Sequence, residues 1–298
     1  MWGQMQIVEH EIRVKSRADE IKIHPIGDTH IGKINCDEKA LRRYVQEIAD
    51  DPNAYWIGGG DYFDSIKPSD IKRFDLGVLP DWVLIGSPEE IKKNLSGLVN
   101  RQLDRFCVIM QPIAHKCLGF IEGNHEFEIR KRHNEDYVER MAKQFGTVNL
   151  TDSAFMRIKM YRSAKVSAES TVVLYIEHGC GGGRSYGSEL NHLGSMVSDK
   201  DADMICRGHS HKSDELATSR MHISSHGKIP KDACQSRDIC ALNWGSWLLS
   251  YQVGPSTYER RASYRATPRI TRYFKIKPFQ YVSKSVTRPR ITVEKWLM

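Results

Sequence analysis

No stretch of this 298-residue chain approaches the roughly 18–20 consecutive apolar residues that a membrane helix needs. Met1 to Arg13 likewise hold no apolar run long enough for a secretory signal. The seven cysteines, at 36, 107, 117, 180, 206, 234 and 240, include no Cys-x-x-Cys pair, and their odd number argues against a disulfide framework. Reduced thiols in a cytoplasmic setting, with no membrane contact, are the expectation. Internal repeats and low-complexity tracts are also missing, which excludes solenoids and disordered linkers. What remains is an ordinary globular balance, 40% hydrophobic and 27% charged.

Acidic residues are scarce in one place. From Pro255 to Met298 there are eleven Lys/Arg against Glu259 and Glu294, so this segment carries more than the whole net charge of +7. Tyr258, Tyr264, Tyr273, Phe274, Phe279 and Tyr281 are interleaved with the cations. Cations for phosphates and rings for bases would suit DNA or RNA. A C-terminal strand pair with a solvated cationic face and inward-packed rings is the competing reading, and the pattern alone leaves both open.

Short β-branched and aromatic runs bounded by glycine read as buried strands. Glu20–Ile26, Ala54–Ile57, Lys116–Ile121, Thr171–Ile176 and Met204–Cys206 are such runs. Helical spacing lies between them, over Cys36–Asp50 with Asp37 as its cap, Pro88–Met110, Glu126–Phe145 and Ser185–Ser198. Alternating strands and helices imply a layered α/β fold. Short strands follow over Met221–Ser225, Asp238–Leu249 and Arg269–Ile276. No linker divides the chain, so residues 1–298 are expected to form one domain. Ser65–Leu98 looks like an insertion, with Phe74 and Trp82 seemingly exposed, serving as a groove wall, a dimer contact or packing filler.

Each of the five strand-like runs ends on a polar cluster. In order these are Gly27-Asp28-Thr29-His30, Gly60-Asp61, Gly123-Asn124-His125-Glu126, His178-Gly179 and Gly208-His209-Ser210-His211. Singly they are weak signals. Together they offer two carboxylates, an amide oxygen and four imidazoles, with His125 to spare. Oxygen donors mixed with imidazole suit manganese, iron or zinc, not calcium. This ordered set resembles the calcineurin-like metallophosphoesterase superfamily, whose signature reads D-x-H, G-D, G-N-H-[D/E], H and G-H-x-H.

The resemblance implies a four-layer α/β/β/α sandwich of two mixed sheets flanked by helices. It implies two divalent ions, with manganese the first expectation. Asp28, His30, Asp61 and His211 would hold one, and Asp61, Asn124, His178 and His209 the other, so that Asp61 bridges. A water shared by the ions would lose its proton near neutral pH and attack phosphorus. His125 would be the general acid, oriented by Asp64, which sits where the Ser/Thr protein phosphatases place that histidine's partner. Capping a turn is the plainer role for Asp64.

Two positions depart from those phosphatases. Ser65 and Glu122 stand where they carry the arginines that clamp a phosphomonoester dianion. That shifts the expectation toward phosphodiesters and a nuclease-like activity. Arg184, in the run Gly181-Gly182-Gly183-Arg184, and Arg260 and Arg261 in the tail are the candidate substrate-binding cations. Cys180 is read as a buried or rim thiol, with a soft ligand as the alternative. A small nucleotide or a phosphoprotein is the alternative substrate. A non-catalytic scaffold on the same fold is the third reading, but scaffolds lose ligands and none is missing here.

Overall fold

The computed structural model describes residues 5–298 apart from 71–73, 163–169, 182, 184, 186, 224–233, 252–265 and 284–285. Among the described residues, eleven strands form two mixed sheets. In chain order they are β1 (Gln6–Val14), β2 (Ile21–Ile26), β3 (Ala54–Gly58), β4 (Cys117–Phe120), β5 (Ser153–Arg162), β6 (Ser170–Glu177), β7 (Met204–Arg207), β8 (Glu215–Ile223), β9 (Cys234–Asn243), β10 (Ile270–Ser283) and β11 (Val286–Leu297). One sheet runs β11-β10-β2-β3-β4 and the other β1-β5-β6-β7-β9-β8. In the first, β2, β3 and β4 are parallel, and β10 joins β2 antiparallel. In the second, β6, β7 and β9 are parallel.

The sheets pack face to face. Ile23, Ile57, Leu118 and Phe274 of the first meet Ile158, Leu174, Met204 and Leu242 of the second in one buried cluster. Burial of this apolar surface, at about 25 cal/mol per Å², is the main force holding the sheets together. Helices α1 (Glu38–Asp50), α4 (Leu98–Met110) and α6 (Tyr137–Phe145) cover the outer face of the first sheet, where Tyr44, Phe106 and Met141 surround Trp56 and Phe120. Helix α7 (Gly187–Asp199) covers the second, with Leu193 and Met196 against Tyr175 and Ile205. The layers are therefore α/β/β/α. No helix among the described residues is long and apolar enough to cross a membrane.

Asp37 does cap α1, accepting from Ala40 N at 3.0 Å. Two expected helices are broken. Gly97 separates α3 (Pro88–Ser96) from α4, and Asn134, at φ 55°, ends α5 (Asn124–His133) before α6 begins. Within the 65–98 segment a 3-10 turn and the short α2 (Asp81–Leu84) precede α3. Phe74 and Trp82 are not exposed there. Both are half-buried against Leu79, Val83 and Leu98, and Arg105 lies over the Trp82 ring. The aromatics serve packing.

The C-terminal segment forms a strand pair, β10 with β11. Phe274 and Phe279 are buried, and Tyr273 stacks on the buried His24 with ring centroids 4.5 Å apart. Its described cations are largely paired with carboxylates: Arg269 with Asp37, Arg272 with Glu215, Lys275 with Glu294 at 2.8 Å and Lys277 with Glu20 at 2.9 Å. Tyr258 and Tyr264 lie outside the described residues.

Candidate metal centre

All five polar clusters lie at one end of the sheets. Asp28 and His30 follow β2, Asp61 follows β3, Asn124 opens α5 after β4, His178 follows β6, and His209 and His211 follow β7. Parallel strands bring their C-terminal ends to the same edge, which is why residues 183 positions apart converge. The backbone is forced into place here. Asp28, His30, Asp61, Ser65, His209 and His211 all have positive φ, between 44° and 67°. Non-glycine residues adopt that region at a cost of about 1–2 kcal/mol each, and such strain gathers at functional sites. Gly123 permits a close approach of two ligand loops. A Cβ there would fall 2.2 Å from both Asp61 N and Asp61 Oδ1.

Among the described residues three clusters bring candidate donors together: two that face the Asp61 carboxylate, and a third in which His30 meets Asp64 and His125. In the first, Asp28, His30 and His211 bring ligand atoms within 4.8 Å of one another. His211 Nε2 lies 3.3 Å and His30 Nε2 3.9 Å from Asp28 Oδ1. In the second, Asp61, His178 and His209 do the same. Asn124 Oδ1 is 3.1 Å from His178 Nε2 and 2.8 Å from His209 Nδ1. Asp61 Oδ2 faces both groups, 3.2 Å from His178 Nε2 and 3.9 Å from His30 Nε2.

Several atoms are prepared for a cation. Asp28 Oδ1 is buried without a hydrogen-bond partner, whereas Oδ2 accepts from Trp244 Nε1 at 2.8 Å and His209 N at 3.0 Å. His178 Nδ1 donates to Gly59 O at 2.7 Å, which orients the ring and directs Nε2 at Asp61. A buried carboxylate oxygen with no donor is costly unless a cation completes it. The donor set fits a divalent pair. Burial opposes charge on Asp61, but the facing His178 and His125 outweigh it and hold its carboxyl well below the usual range. His178 is pushed up to about 10, since Asp61 overcomes the opposing effect of burial.

His125 stands beside the shared carboxylate. Its Nε2 is 4.0 Å from Asp61 Oδ2, and its backbone N donates to Asp61 Oδ1 at 2.9 Å. It does meet Asp64, but Nδ1 donates to the Asp64 main-chain carbonyl, not to the carboxylate. The carboxylate is engaged elsewhere, with Lys33 Nζ 3.2 Å from Asp64 Oδ1. A carbonyl has a fixed direction and no charge, so it orients the ring without drawing its proton away.

Glu126 and Trp244 hold the loops from behind, and motif reading assigned neither a role. Glu126 is buried, its Oε2 accepting from Asp61 N at 2.9 Å and Gly123 N at 3.1 Å, and its Oε1 from Tyr62 N at 2.9 Å. Burial, then the nearby Asp61, pushes its carboxyl up to about 8. Its place in Gly-Asn-His-Glu was visible, and the three donors were not. The carboxylate of Glu122 is bound bidentately by Arg130, at 2.7 Å for each hydrogen bond. Cys180 is exposed and joins no donor group among the described residues. Arg184, Arg260 and Arg261 lie outside the described residues.

A family model described as calcineurin-like phosphoesterase matches residues 21–213. No curated protein matches the chain. Among solved structures, it is similar to the calcineurin-like phosphoesterase YfkN from Bacillus subtilis, at 11% identity and a TM-score of 0.40, covering 92% of this chain and 90% of that one. Vps29 complexed with zinc from Entamoeba histolytica shares 10% identity at a TM-score of 0.36, covering 93% and 98%. A predicted phosphoesterase from Streptococcus pneumoniae shares 10% at 0.32, covering 93% and 99%. The family match spans every donor in the two groups and strands β2 to β7, after which those donors stand, and the chain belongs to the calcineurin-like phosphoesterase family as a metal-dependent phosphoester hydrolase.

Proposed function

We propose that the chain hydrolyses phosphodiester bonds at a two-ion centre in which Asp28, His30 and His211 hold one ion, Asn124, His178 and His209 hold the other, and Asp61 is common to both. The observation that carries this reading is the position of Asp61 Oδ2 between the two imidazole groups. Manganese heads the candidates on the mixed oxygen and imidazole donors, with iron and zinc also suited. A divalent pair supplies charge stabilisation at phosphorus and a nucleophile at neutral pH.

The chain's own residues do the rest. With Nδ1 committed to the Asp64 carbonyl, protonated His125 has a single N–H, at Nε2, to give to the departing oxygen. Glu126 holds the loops of Asp61 and Gly123 at a fixed separation, so the donors need not reorganise during turnover. Neither Ser65 nor the Arg130-bound Glu122 offers a positive charge to a monoester dianion. A diester, with one negative charge, makes the smaller demand.

A nucleic acid is the polymeric form of that substrate, and the excess charge of residues 255–298 supports it. The pairing of Arg269, Arg272, Lys275 and Lys277 with carboxylates favours instead a small diester, such as a cyclic or dinucleotide. Manganese-reconstituted protein assayed on bis(p-nitrophenyl) phosphate, p-nitrophenyl phosphate, and single- and double-stranded DNA and RNA separates these readings. Hydrolysis of the monoester alone would sink the diester reading. Strand cleavage that is lost when Arg260 and Arg261 are reversed to glutamate supports the nucleic acid.

A further inference from the structure

We infer that Trp244 is a positioning residue for the first ion, fixing Asp28 so that a single carboxylate oxygen faces the centre. This rests on the two-ion reading above. Trp244 lies beyond the 21–213 span that the family model matches, just after β9. It is 1% exposed and its indole donates to Asp28 Oδ2 across a separation of 216 residues. An indole N–H can donate but never accept. It therefore discriminates between the two ways the carboxylate could turn. Oδ2 is occupied by this donor and by His209 N, and Oδ1 is left bare toward His30 and His211.

The ring also forms a common floor under three loops of the centre. A Cβ on Gly27, Gly59 or Gly208 would come within 2.9, 2.5 or 2.2 Å of the indole. These glycines adjoin Asp28, Gly60-Asp61 and His209. The same turn grips the Asp28 backbone, because Ser246 Oγ and Trp247 N each lie 3.2 Å from Asp28 O as donors. Asn243 Nδ2 reaches Ser210 Oγ, between His209 and His211, at 2.9 Å. Residues 243–247 thus brace one ligand loop from both its side chain and its main chain. Only the first donor group contains Asp28, so the N–H acts directly on that ion and reaches the other only through the hydrogen bond from His209 N to Asp28 Oδ2.

Trp244→Phe keeps a flat ring over the glycines and removes the N–H. Manganese titration by calorimetry, with electron paramagnetic resonance to count coupled ions, reads the two sites separately. Affinity at the first site is expected to fall about ten- to a hundredfold, as is usual when a ligand's supporting hydrogen bond is lost, and the second site, linked to Asp28 only through His209 N, is expected to weaken far less. Equal weakening of both sites, or no weakening, overturns the role of Trp244. If the unsubstituted protein fails to bind two ions, the two-ion reading itself falls and the role goes with it. Should Trp244→Phe not fold, the unsubstituted protein gives the answer through the indole N–H resonances of its six tryptophans. One resonance, protected from exchange, should shift with the first equivalent of zinc; no such shift overturns the proposal.

Discussion

Arg130 grips Glu122 through two parallel hydrogen bonds of 2.7 Å, and this pairing disposes of the negative charge that stands next to Gly123-Asn124. Glu122 is 8% exposed, whereas the Arg130 side chain is 43% exposed, so solvent screens much of the attraction. Arg130→Met should therefore cost only about 1–2 kcal/mol, mostly for the stranded carboxylate. The larger effect is expected in kinetics. KM for bis(p-nitrophenyl) phosphate should rise several-fold, and Arg130→Met with Glu122→Gln should return it. An unchanged KM in the single variant would show that Glu122 does not face the substrate.

His24 should give the folded state a marked acid sensitivity. It is 5% exposed, bonded through Nδ1 to Tyr44 Oη at 2.6 Å, and burial, aided by Lys22, lowers its pKa to about 3. The unfolded chain takes up this proton near pH 6.5, and the folded chain only near 3. Stability is thus complete above about pH 6.5 and is lost as pH falls toward 3, at up to about 1.4 kcal/mol per pH unit. His24→Phe retains a ring against Tyr273 and has no proton to gain. Across urea midpoints at pH 7.5, 5.5 and 4.5 the parent should lose stability more steeply than the variant as pH falls, and parallel curves would contradict the argument. His10 and His30 are also held below their usual pKa, but they are present in both proteins and cancel in the difference.

The strands that carry candidate donors were legible in the sequence because they read as short apolar or alternating runs with a glycine close behind each. β1 and β5 were not. Gln6–Val14 mixes charge with apolar residues at a sheet edge, and Ser153–Arg162 relies on Met156 and Met160 in place of β-branched residues. Helical spacing continues across Gly97 and Asn134, so periodicity alone joins helices that the backbone separates. The donors could be named from order and spelling, since each brings its own chemistry. The supports could not. Trp244 reaches Asp28 from 216 residues away, and no pattern announces whether His125 will meet the carboxylate or the carbonyl of Asp64.

Lys116 closes the C-terminal end of α1, whose last turn has no basic residue of its own. Its ammonium donates to Ile48 O at 2.6 Å, Ala49 O at 3.0 Å and Asp51 O at 2.7 Å, and the residue is 8% exposed. A cation there satisfies carbonyls that the helix leaves free and complements the negative end of its dipole. Lys116→Met keeps most of the stem and removes the donors. Unfolding free energy by urea should fall by about 1–3 kcal/mol, with ion binding unchanged because α1 carries no donor. A loss below about 0.5 kcal/mol would mean that water replaces the ammonium at those carbonyls.

Asn124 and His125 are neighbours in sequence and should separate cleanly by experiment. Asn124 Oδ1 sits between His178 and His209, so Asn124→Ala removes an oxygen from the second group. Metal analysis should show one tightly held ion in place of two, with turnover abolished. His125 presents Nε2 near Asp61 and is a member of neither the Asp28 nor the Asp61 donor group, its nearest candidate partners being His30 and Asp64. His125→Asn should therefore retain both ions and lower kcat by about a hundredfold or more, the usual weight of a positioned acid. The loss should shrink for a diester whose leaving group is p-nitrophenolate, which departs without a proton, and grow for an alkoxide leaving group. If His125→Asn strips an ion, or if both leaving groups suffer alike, His125 is a ligand or a positioning residue and the proton must come from elsewhere.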